Sequence, residues 1–368
     1  MSTLPLPRHF DAKHAEIFGY RPDMAQLAMD AFAFKKLHGI KAAGADMVKM
    51  AVVPIDCQED FSHPEGTLFV AGRSGRGAID DAVRLTDFLY RHLHLITGIY
   101  PTFDTHFALQ VFSAPFWVGP AGEPLSPHTL IVSGTGGVLN NIGLDGSLLI
   151  ENVKPRPEMA WWLCGANYGW LVGQMQHYVQ ELARGGKYTL YLWPPHTLLG
   201  TPGHAMTGVL TEARFFHSYV RGVQSHGEIK GGHPLSECYS VFGEEVRTRF
   251  DGQALSSKNT RFIDVLLSHD VVVFAGQAAS HCVKSSIDDF LVELAQRDPA
   301  LAGKIYVLED CMSSVTVPDG AGGFAADFTD DALAALDRFR DAGMHVVKST
   351  DPLASWPDLP DALKRLSS

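Results

Sequence analysis

The sequence predicts an α/β fold three layers deep, with a mainly parallel central sheet between two helical layers. Three observations predict it. Short apolar runs rich in β-branched residues recur along the chain, and segments of helical apolar spacing separate them. That alternation is what parallel strands joined by helical crossovers require. The run Val271-Val272-Val273-Phe274 is apolar at every position, as a strand covered on both faces should be.

The elements follow in order. Residues 1–47 read as an N-terminal helical extension, with a helix at 22–37. Residues 48–368 read as one α/β domain. Its first strand, 50–55, ends on Asp56. A Gly-rich loop leads to an amphipathic helix at 77–93, then to a second strand at 94–103 ending on Asp104. The segment 114–186 is too long for a single crossover and reads as an insertion. It contains a polar, Gly-rich stretch at 133–146 and one or two helices within 158–183. A third strand at 188–193 stops before Pro194-Pro195-His196, and a helix covers 207–221. The central strand at 271–274 turns into a helix over 283–295. A strand at 304–308, a helix at 330–342 capped by Gly343 and a strand at 344–348 close the domain.

Composition narrows the function classes. A formal charge of −11, with no basic run, argues against nucleic acid as a partner. No apolar segment is long enough to span a bilayer, and the first residues lack a signal-peptide pattern. The 5 cysteines are scattered without C-x-x-C spacing, which fits reduced thiols in the cytoplasm better than a disulfide framework. At 46% hydrophobic and 19% charged residues, the chain expects a large core and favours a homo-oligomer.

Reactive residue types collect at strand ends, where parallel sheets place their functional groups. Asp56 follows the first strand, Asp104 and His106 the second, His196 the third. Cys282 sits where the buried strand becomes a helix, and a helix start favours a thiolate. A lone cysteine there is more often a small core residue. Four reactive strand ends together argue for a site.

The motifs Ile55-Asp56-Cys57-Gln58-Glu59-Asp60-Phe61, Asp104-Thr105-His106, Trp193-Pro194-Pro195-His196 with Gly200-Thr201-Pro202-Gly203, Lys230-Gly231 and Ala278-Ala279-Ser280-His281-Cys282-Val283 occur in this order. The chain resembles the nicotinamidases, within the isochorismatase-like cysteine hydrolases, over roughly residues 48–112, 186–243 and 268–350. The resemblance implies the isochorismatase-like hydrolase fold and an amidase that converts nicotinamide to nicotinate and ammonia, a step of NAD salvage. It implies Asp56, Lys230 and Cys282 as the catalytic triad. Cys282 attacks the carboxamide carbon, Asp56 handles the proton, and Lys230 supplies positive charge. Lys258 and Lys284 are the other lysines available for that last role. The resemblance also implies an oxyanion hole from the backbone N–H groups of Ala278 and Cys282, with a cis peptide at Gln277–Ala278.

Asp104 and His106, two apart in extended chain, can face one side, and His196 arrives from another strand end. Two imidazoles and a carboxylate with open positions suit Zn²⁺ first, with Fe²⁺ or Mn²⁺ as alternatives. The resemblance implies that this metal binds the ring nitrogen of the substrate. The stretch Gln110-Val111-Phe112-Ser113 holds no fourth ligand of the usual type, and His128 is a candidate from the insertion. By resemblance, Phe61, Trp193 and, more loosely, Tyr239 form the flat walls an aromatic amide needs. Cys57 reads as core. The aromatic cluster Trp161, Trp162, Tyr168, Trp170 and Tyr178 reads as a cap over the site or an oligomer interface. Two other readings stand beside nicotinamidase: a sister amidase acting on a different small amide or carbamoyl compound, and a non-catalytic binding protein on the same fold.

Overall fold

The computed structural model describes residues 3–367. Its strands are β1 (Met50–Ile55), β2 (Gly98–Ile99), β3 (Thr102–Asp104), β4 (Trp117–Val118), β5 (Thr129–Ser133), β6 (Leu139–Ile142) and β7 (Leu148–Pro155). They continue as β8 (Leu190–Leu192), β9 (Glu228–Lys230), β10 (Val271–Gly276), β11 (Ile305–Leu308), β12 (Thr316–Pro318), β13 (Phe324–Asp327) and β14 (His345–Val347). The helices are α1 (Met24–His38), α2 (Glu59–Ser62), α3 (Gly77–Arg91), α4 (Met159–Leu163) and α5 (Tyr168–Gly185). They continue as α6 (Gly208–Arg221), α7 (Thr260–Leu267), α8 (Lys284–Arg297), α9 (Thr329–Asp341) and α10 (Asp361–Ser367).

The central sheet has the order β14-β11-β10-β1-β2, and every pairing in it is parallel. Successive side chains leave a strand on opposite faces. Accordingly, Ala51, Val53, Ile55, Val272 and Phe274 enter one core, and Met50, Val52, Val271, Val273 and Ala275 the other. Phe262, Phe290 and Phe339 of α7, α8 and α9 pack in the first core. Leu85, Phe88 and Phe216 of α3 and α6 pack in the second. The sheet therefore carries helices on both faces, the three-layer α/β arrangement its sequence predicts. Within the N-terminal segment, Asp23 caps α1 by accepting from the amides of Ala25 and Gln26, and Gly39 ends it in the left-handed region. Leu27 and Ala31 of α1 enter the second core.

Three expectations are corrected. The strand expected at 94–103 splits, because residues 92–95 form a turn and Pro101 has no N–H to continue a ladder. Only β2 stays in the central sheet, and β3 leaves it to pair in parallel with β9. The strand at 188–193 is not a central strand either. β8 pairs antiparallel with β5 and completes a second, five-stranded antiparallel sheet of order β4-β7-β6-β5-β8. The Gly-rich stretch 133–146 holds β6 between two tight turns, so most of the insertion is a local meander that recruits β8 as its edge.

Candidate active site

Asp56 and Cys282 stand at the ends of neighbouring parallel strands, since β1 and β10 pair with Ile55 opposite Gly276. Lys230 reaches them from the β3–β9 ribbon, whose register sets Asp104 opposite Lys230. Its ammonium donates to Asp104 Oδ1 at 2.8 Å, to the carbonyl of Cys238 at 2.9 Å and towards Cys282 Sγ at 3.6 Å. Asp56 Oδ2 lies 3.0 Å from the same nitrogen, yet no hydrogen bond is directed to it. The Thr102 hydroxyl donates to the other oxygen, Oδ1. Lys258 and Lys284, the alternatives for the cation, are instead paired with Glu293 and Asp288.

The electrostatics follow from burial. Asp56 is fully buried, and desolvation raises its pKa from the ordinary aspartate value although Lys230 opposes the rise. Burial also pushes the Cys282 thiol well up, against the pull of Lys230, with Asp56 and Asp104 adding to the rise. That rise opposes the pull towards a thiolate that the sequence argument places at a helix start. Burial works against the Lys230 ammonium, but Asp104, Asp56 and Cys282 outweigh it and hold its pKa well above the ordinary lysine value. Cys282 lies in a wide π-type turn, Ala279–Val283, ahead of α8 rather than at the helix start itself. Ala278 precedes that turn, after a cis Gln277–Ala278 peptide.

Asp104, His106 and His196 come together with all three ligand atoms within 4.8 Å of one another. The donor set suits a divalent metal. Nδ1 of His106 faces the carbonyl of Gly231 at 3.0 Å, and Nδ1 of His196 faces the carbonyl of Pro194 at 2.7 Å. A ring that donates from Nδ1 keeps the Nε2 lone pair for a metal. Both Nε2 atoms face Asp104 Oδ2, at 2.8 and 3.6 Å. His128 takes no part; it pairs with the Tyr191 hydroxyl at 2.9 Å.

The motif around Asp56 builds this arrangement residue by residue. Gln58 accepts from the amide of Asp104 at 2.7 Å and donates to its carbonyl at 2.8 Å, clamping the end of β3. Asp60 accepts from the amide of Thr197 at 2.7 Å and so fixes the turn after His196. Gly203 is glycine because a Cβ there would fall on the Asp60 carboxylate. At Gly231 φ is +84°, and a Cβ would meet Asp104 Oδ1 and the His106 ring.

A narrow cavity of about 30 Å³ opens between these groups. Phe61, Trp193 and Tyr239 all line it, together with Cys282, Asp104 and His196. Phe61 tilts against His196 at 5.4 Å, and Trp193 stacks on Tyr191 and donates to the Tyr239 hydroxyl at 2.9 Å. Sequence reasoning missed two polar lining residues, His281 and Glu237, and the apolar Leu68, Val70 and Val315. Burial holds the His281 imidazole neutral, its pKa lowered to about 3. No pattern marks Glu237 in the sequence, where it is a lone acid seven residues after Lys230. Gln277, bulkier than expected, donates to Asp81 on α3 at 2.8 Å and anchors the loop before Cys282. In the insertion, Tyr178 is fully buried and accepts from the amide of Glu237 at 3.0 Å, whereas Trp161 and Trp162 are exposed.

No family model matches the chain, and no curated protein does. Among solved structures it is similar to an Acinetobacter baumanii nicotinamidase–pyrazinamidase, at 17% identity over 83% of this chain and 98% of that one, with a TM-score of 0.46. It is also similar to the yeast nicotinamidase bound to the inhibitor nicotinaldehyde, at 15% identity over 81% of this chain and 99% of that one, TM-score 0.47. A third is a Pyrococcus horikoshii pyrazinamidase in complex with zinc, at 15% identity over 82% of this chain and 99% of that one, TM-score 0.39.

Proposed function

We propose that the protein is an amidohydrolase that cleaves the carboxamide of nicotinamide to nicotinate and ammonia through a thioester on Cys282. The observation that carries the reading is the convergence of Asp56, Lys230 and Cys282 on one buried point beside the Asp104–His106–His196 cluster. Cys282 Sγ bonds to the carboxamide carbon while its proton passes to Asp56, whose Oδ2 faces Lys230 at 3.0 Å. The raised pKa of Asp56 suits it to accept that proton and then return it to the amine as the C–N bond breaks. Lys230 stabilises the sulfur's developing charge, and the amides of Ala278 and Cys282 are assigned to the oxyanion. Water then hydrolyses the thioester, with Asp56 again as base. A divalent metal held by Asp104, His106 and His196, zinc first among the choices, supplies a Lewis acid for the pyridine nitrogen. Phe61, Trp193 and Tyr239 wall the ring. The partner is accordingly a small amide, and the assembly a cytoplasmic homo-oligomer.

The test is ammonia release from nicotinamide by wild type beside Cys282→Ala. Release by wild type alone, with the variant folded, is the expected result. Near-normal release by the variant overturns the assignment of the nucleophile, and silence from both moves the substrate to another amide.

A further inference from the structure

Glu237 is 5% exposed and lines the same cavity as Asp104, His196 and Cys282. One of its oxygens, Oε1, accepts from the amide of Cys238 at 2.9 Å. The other, Oε2, is buried and has no hydrogen-bond partner among the described residues. A buried carboxylate oxygen left unsatisfied is costly and calls for a positive or donating partner. The loop is built to hold it there: the Tyr178 hydroxyl accepts from the backbone amide of Glu237, and the Ser236 hydroxyl accepts from the amide of Val246.

Two further facts say what that partner is. Glu237 does not belong to the set of ligand atoms lying within 4.8 Å of one another, so it stands outside the group that holds a metal directly. It lines the same narrow cavity as Asp104 and His196, so it stands beside the cluster.

We propose that Glu237 is a positioning residue for the metal centre, with Oε2 accepting a hydrogen bond from a water bound to the metal. This rests on the metal reading of Asp104, His106 and His196. Three protein ligands leave open positions that water fills, and a carboxylate one water away orients that water and strengthens retention of the ion.

The experiment is calorimetric titration of metal-free protein with Zn²⁺, comparing wild type, Glu237→Gln and His196→Ala, with melting curves of the metal-free forms. Glutamine keeps the acceptor for the Cys238 amide and removes the charge. The expected result is about 10- to 100-fold weaker zinc binding by Glu237→Gln with an unchanged metal-free melting temperature. Wild-type affinity in Glu237→Gln, while His196→Ala loses zinc, overturns this inference and leaves the metal site standing. The same affinity with a raised KM for the amide also overturns it, because Oε2 then serves the substrate. No zinc binding by wild type overturns both readings. If Glu237→Gln fails to fold, Glu237→Asp, which keeps the charge but shortens the reach, is expected to weaken zinc binding, and unchanged affinity counts against the proposal.

Discussion

Asp56 and Lys230 have opposite tasks, and their surroundings assign them. The Lys230 protons are directed at Asp104, the Cys238 carbonyl and Cys282, so it is a fixed charge. Asp56, with Oδ1 held by the Thr102 hydroxyl and Oδ2 facing Lys230, is the proton carrier in the proposed mechanism. Asp56→Asn should therefore lower the rate of ammonia release by about 10²- to 10⁴-fold with the fold retained, read from steady-state kinetics and circular dichroism. Asp81 offers a separate, structural test. Burial raises its carboxyl to about 6, with hydrogen bonds from Gln277 and Arg84 opposing. In the pH range between the ordinary aspartate value and about 6, the native state binds more protons there than the unfolded chain does. Its contribution to stability is therefore fully present below that range and lost as pH rises through it. Relative to wild type, Asp81→Asn should gain stability across the same range, by roughly 3 kcal/mol at most, measured as the difference in urea midpoints. A difference independent of pH would rule out the shifted carboxyl.

At the level of elements, the site depends on two short pieces of backbone: the β3–β9 ribbon and the loop held by Gln58 and Asp60. Gly231→Ala and Gly222→Ala make the contrast. Both glycines have positive φ, but a Cβ at Gly222 meets open space and one at Gly231 meets the metal ligands. Each substitution should cost about 1 kcal/mol of stability from backbone strain. Gly231→Ala should also lose bound metal and activity, and Gly222→Ala neither. The same elements explain what was legible in the sequence. The central strands were, because an apolar run such as 271–274 has one reading. The lines D-x-Q-x-D-F, D-T-H and W-P-P-H were legible as strand-end motifs, and the structure brings them together through contacts distant in sequence, Gln58 to Asp104 and Asp60 to Thr197. The ribbon was not legible: a three-residue strand such as β9 has no periodicity to detect, and its partner is 126 residues away in register, Asp104 to Lys230. The outer sheet was missed because its Gly-rich turns look like loop until the flanking strands pair. Glu237 was missed because a single acid has no pattern.

For the whole molecule, the buried charges at the site are the feature that reaches furthest. A metal bound only by the native state stabilises it by mass action, about 2.7 kcal/mol when free metal is at 100 times Kd. Prolonged chelation should thus lower both activity and melting temperature, and added Zn²⁺ should restore both. His196→Ala should show neither response. An activity indifferent to chelation would point instead to the sister-amidase reading. No helix among the described residues is long and apolar enough to cross a membrane. The apolar residues fill two cores, one of which continues into the second, antiparallel sheet. That second sheet divides the labour of the site. The inner, parallel sheet carries Asp56 and Cys282, while Trp193 follows the edge of the outer, antiparallel one and rests on its Tyr191. One of the three ring walls of the proposed site, Trp193, is thus set by a layer other than the one that carries Cys282, while Phe61 follows the inner sheet. Under the proposed function, substitutions at Tyr191 beneath Trp193 should change which amide is admitted while leaving the strands that carry Asp56 and Cys282 untouched, so this support is where a change of substrate can arise without a change of chemistry.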